Sequence, residues 1–141
     1  SFTLFLMNFN PGIWSMKHKF NDYDRVIMVG PIWMGRFIPP LRSFVKKYQN
    51  QINELVFVTC CGSTYEKKDE KFGHGLVFKT VESLLKEKLV ACQAFPVGLV
   101  LPDEQKEDTD AFMKTHLNDT NFKGEIADRF EEFMKKINPA S

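Results

Sequence analysis

Three cysteines and three histidines are the side chains of this sequence best suited to chemistry of their own. Cys60 and Cys61 are adjacent, and Cys92 lies well downstream. Neighbouring cysteines rarely pair with each other, because the disulfide would be strained. The odd count fits a reducing compartment, so the sequence reads as a cytoplasmic protein with free thiols. Cys60 and Cys61 could act as a redox pair, but cysteines near the end of an apolar run are more often buried than reactive. His18, His74 and His116 are scattered without metal-ligand spacing and no Cys-x-x-Cys occurs, so neither a metal site nor a catalytic residue is expected. His74 stands between two glycines, where starting a helix is favoured over touching a ligand. Trp33, flanked by Gly30 and Gly35, is either a packing residue or a ring against which a flat ligand could lie. Trp14 reads as packing. Lys67, Lys68 and Lys71 read as solvated, offset by Glu66, Asp69 and Glu70.

The elements that must position these residues alternate between strand and helix. Phe2 to Phe9 reads as a strand, broken by Pro11-Gly12. Arg25-Val26-Ile27-Met28-Val29 has no polar alternation, which predicts a strand covered on both faces. Leu41, Phe44, Val45 and Tyr48 form one stripe of an amphipathic helix opened by Pro39-Pro40. Glu54 to Cys60 is the next strand, ended by Gly62. The polar stretch Ser63 to Gly75 is of a length at which structureless loops are often functional. Val77, Val81, Leu84, Leu85 and Leu89 mark a second helix. Val90 to Leu101 holds a further strand, broken or bent around Pro96 and Gly98. Asp103 to Asp110 reads as a solvated acidic loop, and Ile126, Phe130, Phe133, Met134 and Ile137 as the stripe of a last helix. This alternation predicts a mainly parallel sheet with helices on both faces. Ligands of such sheets bind beyond the carboxyl ends of the strands, which points at Gly30 to Ile38 and Thr59 to Gly75.

Composition narrows the function classes. With 141 residues, one domain spanning 1–141 is expected, with a core rich in the 14 phenylalanines. A net charge of +1 argues against a nucleic-acid binder working by phosphate neutralisation. No apolar run approaches the roughly 20 residues of a membrane-spanning helix, and Phe2 to Met7 lacks the flanks of a signal peptide.

Tyr23-Asp24-Arg25-Val26-Ile27-Met28-Val29-Gly30-Pro31-Ile32-Trp33-Met34-Gly35 resembles the third strand and following loop of flavodoxins. Pro39 to Phe44 looks like the next helix of that family, Glu54 to Gly62 like its fourth strand, and Thr120 to Ile137 like its final helix. The resemblance runs from Asp22 onward and rests on the order and spacing of these motifs. It implies a flavodoxin-like three-layer sandwich and the cofactor FMN. The ring would be clasped by Pro31, Ile32, Trp33, Met34 and Gly35 on one side and by Cys61, Gly62, Ser63, Thr64 and Tyr65 on the other. The Tyr-Asp-Arg-Val stretch and Phe44 to Lys47 also look like the flavodoxin-type protoporphyrinogen dehydrogenases, over less of the chain.

The family's Ser/Thr-rich phosphate loop, often Thr-Gly-Asn-Thr, has no counterpart in this sequence. Phe2 to Phe9 is then either the family's second strand, with the first strand and helix missing, or its first strand joined by an abbreviated crossover from Asn10 to Asp22. The spacing to Tyr23-Asp24 favours the first reading, which leaves a sheet edge for a partner chain or a second copy to fill. The expected function is FMN-dependent electron transfer, or flavin-dependent reduction of a small substrate, with a redox protein or a small molecule as partner. The alternative is a cofactor-less scaffold, or an N-terminally incomplete flavodoxin, acting through protein association.

Overall fold

The computed structural model describes residues 13–62, 64 and 66–138. The expected strand Phe2 to Phe9 and the break at Pro11-Gly12 lie outside the described residues, as do Ser63 and Tyr65. Five strands and four helices are named in chain order. They are β1 (Arg25–Val29), β2 (Ile32–Trp33), β3 (Arg36–Phe37), α1 (Pro39–Tyr48), β4 (Glu54–Cys61), α2 (His74–Leu85), β5 (Leu89–Pro96), α3 (Thr109–Lys114) and α4 (Glu125–Ile137).

β1, β4 and β5 form a parallel sheet with β4 in the middle. β4 is buried on both faces, with Leu55, Val56 and Phe57 wholly enclosed, as an apolar strand of a two-sided parallel sheet must be. One face packs Met28, Leu55 and Phe57 against Val45 and Tyr48 of α1 and Val77, Val81 and Leu85 of α2. The other packs Val56, Ala91 and Phe95 against Ile126, Phe133 and Ile137 of α4. The result is the three-layer, flavodoxin-like α/β architecture expected from the alternation.

Local chemistry sets the element ends. Ile38 is extended (ψ 146°), the conformation imposed on a residue before proline, and Pro39 and Pro40 occupy the first helical turn, where their missing N–H groups cost nothing. Leu89, expected in the second helix, instead begins β5. Lys86 takes a positive φ of 52°, which stops the α-helix, and a 3-10 turn over Lys86–Lys88 turns the chain into the sheet. β5 ends at Pro96, and Val97–Val100 is a 3-10 turn rather than a continuing strand. The acidic stretch is exposed, yet it is not a plain loop. Asp103–Gln105 forms a 3-10 turn, and Asp108 caps α3 by accepting from the N–H groups of Asp110 and Ala111.

Two expectations of burial are corrected. Ile27 and Val29 are 53% and 66% exposed, so among the described residues β1 is covered on one face. They share a face with their register partners Val56 and Val58. α4 covers Val56, and it meets β1 at the start of the strand, where the Arg25 guanidinium donates to the Ile137 carbonyl. Trp14, expected to pack, is 95% exposed. Its neighbours hold that segment to α1 instead. Lys47 donates to the Ile13 carbonyl at 3.0 Å, and the Met16 N–H donates to the Tyr48 hydroxyl at 2.8 Å.

Candidate functional site

The carboxyl end of the sheet carries a hairpin that periodicity could not reveal. β2 and β3 are two residues each and pair antiparallel, Ile32 with Phe37 and Trp33 with Arg36. Met34 (φ 50°) and Gly35 (φ 67°) form the two-residue turn between them. Both residues left-handed is the geometry that matches the twist of paired strands. Methionine there costs about 1–2 kcal/mol of backbone strain. Phe37 anchors the hairpin to the core, packing edge-on against Phe57 of β4 at 5.5 Å.

The same aromatic row reaches the other side of the site. Phe57 meets Phe78 of α2 at 6.0 Å, and Phe78 meets His74 at 5.3 Å. His74 is 1% exposed, and its Nδ1 lies 3.6 Å from the Cys61 Sγ. Burial holds the imidazole pKa below its ordinary value, favouring the neutral ring, with the Lys68 charge acting the same way. The end of β4 and the start of α2 are thus joined beneath the loop that connects them. Sequence reasoning left His74 as a helix start or a ligand contact; it starts α2, and its side chain is buried at this junction.

The part of the connecting loop from 66 to 73 is folded back on the helix. The Gly75 N–H donates to the Lys68 carbonyl and the Gly73 N–H to the Glu70 carbonyl, each at 2.8 Å. A Cβ at Gly73 would lie 1.9 Å from the Lys68 carbonyl oxygen, so no other residue fits there. Asp69 pairs with Lys79 of α2 at 3.0 Å, and that hydrogen bond holds its carboxyl pKa below the ordinary value. The Gly35 turn rests against this loop, since a Cβ at Gly35 would meet the Lys71 carbonyl oxygen at 2.6 Å and the Phe72 Cα at 2.8 Å.

Between hairpin and loop lies a cavity of about 580 Å³, lined among the described residues by Ile32, Met34, Gly35, Gly62, Lys67, Glu70, Lys71, Phe72 and Gly73. That volume falls in the range of small-molecule sites. Of the residues singled out from sequence, Ile32, Met34, Gly35 and Gly62 line it. Pro31 and Trp33 belong to the same hairpin but lie outside the lining, and Trp33 is 49% exposed. Cys61 sits below it, bonded to His74, and Thr64 lines a neighbouring cavity. Sequence reasoning missed Phe72, a half-exposed aromatic in the cavity wall whose ring carries the Lys71 ammonium at 5.4 Å. Lys67 and Lys71, read from sequence as solvated, are exposed and stand in the lining of the cavity. The signal for Phe72 was an aromatic within a glycine-bounded loop after a buried strand.

Cys60, expected to be buried, faces the opposite side of the sheet and is exposed, while Cys61 is buried and Cys92 partly so. Cys60 is exposed as a residue, yet partial desolvation of its sulfur raises its pKa, and deeper burial pushes the Cys92 thiol up to about 12. Among the described residues no three His, Cys, Asp or Glu side chains come together as a metal site, and no helix is long and apolar enough to cross a membrane.

Comparison with known proteins adds three findings. No curated protein matches the chain. A solved flavoprotein in complex with FMN, from Lactobacillus acidophilus NCFM, aligns over 56% of this chain at 14% identity and a TM-score of 0.46, and the match spans about half (48%) of that protein's length. Residues 8–115 match the flavodoxin domain family. That match runs through β1, the hairpin, α1, β4, the glycine-bounded loop, α2 and β5, the elements that build the cleft, and the chain belongs to the flavodoxin domain family.

Proposed function

We propose that this domain binds a flavin in the cavity between the Met34-Gly35 hairpin and the 62–73 loop, and serves as a redox protein of flavodoxin type. The observation that carries the reading is the cavity itself, with its placement at the carboxyl ends of parallel strands and its two glycine-braced walls. Ile32 and Met34 offer an apolar surface on one wall and Phe72 an aromatic one on the other. An aromatic contact of this kind is worth about 0.5–1.5 kcal/mol beyond area burial. Gly35, Gly62 and Gly73 bring backbone polar groups to the edge of the cavity, where the polar rim of an isoalloxazine would need them. Among the described residues, Lys67 and Lys71 are the lining cations that a phosphate could meet. A bound flavin would supply the electron-transfer chemistry, and the protein the shape and field around it. The near-neutral charge favours a small-molecule acceptor over long-range steering of an oppositely charged protein.

Titration with FMN and riboflavin in parallel, followed by quenching of flavin fluorescence, tests this. Both flavins are expected to bind saturably and within about tenfold of each other, which is 1.4 kcal/mol, because Lys67 and Lys71 are exposed and their pairing with a phosphate is weakened by solvent. Absence of quenching by either flavin would remove the flavoprotein reading. The exposed Ile27 and Val29 support a second reading, a scaffold that associates through its sheet. It predicts concentration-dependent sedimentation together with no flavin binding.

A further inference from the structure

The amino ends of the parallel strands lie opposite the cleft. Segment 13–24 leads into β1, the end of α1 into β4, and the 3-10 turn Lys86–Lys88 into β5. Trp14 is 95% exposed there and Met16 51%. We propose that this end of the domain docks on an anionic membrane surface, with Trp14 and Met16 entering the headgroup layer and the lysines around them meeting the lipid anions. The proposal does not depend on flavin binding.

The segment that carries the two apolar side chains is held in place. Ile13 packs against the core, and its carbonyl accepts from Lys47 of α1 at 3.0 Å. The Ser15 hydroxyl lies 3.4 Å from the same amine, and the Met16 N–H donates to the Tyr48 hydroxyl at 2.8 Å. Phe20 closes the anchor, its ring centroid 5.1 Å from that of Phe44 and 4.7 Å from that of Tyr48. Ile13 and Ser15 thus meet α1, while Trp14 and Met16, which alternate with them, are left to solvent. An indole settles at the level of lipid headgroups because its ring is apolar and its N–H can still donate.

Charge selects an anionic surface. Residues 1–50 hold seven Lys and Arg side chains and two Asp, a surplus of five positive charges in a chain whose net charge is +1. Arg25 is paired with Glu54, and Arg36 and Arg42 line a cavity beside the hairpin. The other four, Lys17, Lys19, Lys46 and Lys47, are exposed, and none of them pairs with a carboxylate among the described residues. Lys88 joins them by donating to the Gln49 carbonyl just beyond α1. Asp22, Asp24 and Glu87 are the carboxylates of the same connections, so five amines stand against three acids. Amines held near an anionic leaflet and apolar side chains entering it are two weak signals that together give reversible attachment.

Cosedimentation of the full chain with phosphatidylcholine vesicles containing phosphatidylserine tests this. Saturable binding is expected, weakened about tenfold or more on phosphatidylcholine alone and by Lys17→Glu combined with Lys19→Glu. Trp14→Ser should weaken it about fivefold or more. Lys114→Glu combined with Lys123→Glu makes the same change in net charge beyond the carboxyl end of β5, and there binding should stay within about twofold. All five positions are exposed, so the variants should keep the far-ultraviolet circular dichroism of the parent. In Trp33→Phe, Trp14 is the remaining tryptophan. Its emission should shift to the blue on the mixed vesicles and be quenched by brominated acyl chains. Binding indifferent to phosphatidylserine or to Trp14→Ser, or an emission that the vesicles leave unmoved, would overturn the proposal. Self-association in sedimentation, or binding of an oligonucleotide, with no binding to vesicles would also overturn it and give this face to a second copy or to a nucleic acid.

Discussion

Gly35→Ala probes the cleft most directly, because two separate costs meet at that position. The first is backbone strain. Gly35 has φ 67°, and an L-residue in that region costs about 1–2 kcal/mol. The second is a collision, since the new Cβ would stand 2.6 Å from the Lys71 carbonyl oxygen and 2.8 Å from the Phe72 Cα. Both are backbone atoms that cannot rotate away, so the loop must move as a whole, an overpacking cost of about 1–3 kcal/mol. Together they place Gly35→Ala about 2–5 kcal/mol below the parent in urea unfolding, with an unchanged slope. Riboflavin affinity should fall roughly tenfold, or 1.4 kcal/mol. A stability loss no larger than the strain of about 1–2 kcal/mol would refute the contact between hairpin and loop. Unchanged riboflavin affinity in Gly35→Ala would refute the placing of the ring beside it.

Further outcomes follow from burial. His74 has its pKa lowered by burial, so the unfolded chain binds its proton first. Its share of stability is therefore present above the ordinary histidine value of about 6.5 and is lost as pH falls through the lowered one. Denaturant midpoints measured from pH 7 downward should fall less steeply in His74→Gln than in the parent, and parallel curves would contradict the buried neutral imidazole. Ellman's reagent should titrate one thiol in the native protein, Cys60, and all three after denaturation. Rapid native modification of Cys61 or Cys92 would contradict their placement. Ile27→Thr should change stability by less than about 0.5 kcal/mol, as surface substitutions do. The same change at its register partner Val56, wholly buried, should cost about 1–3 kcal/mol by enclosing a hydroxyl. Thermal unfolding of the two variants side by side decides this, and comparable losses would mean that the β1 face is covered after all.

The class of the fold was legible in the sequence because it depends on local patterns. The apolar runs at 26–29 and 55–58, the Pro39-Pro40 helix start and the stripe through Ile126, Phe133 and Ile137 report local pattern, and such pattern is set within a few residues. The motifs from Tyr23 to Gly62 brought the family and the general position of the site. What the sequence could not decide were features that depend on residues far apart. The hairpin has strands of two residues, too short to carry a period, and its turn places a methionine where glycine or asparagine is usual. Val29 and Val56 are the same residue type on the same face of adjoining strands, yet one is 66% exposed and the other wholly buried. The difference is where α4 lands. The cavity likewise exists only because Phe37 and His74 pack into one aromatic row, bringing a turn at 34–35 against a loop at 71–72. Composition and spacing determined which elements form, while packing between elements decided which faces stay open and which side chains share a wall.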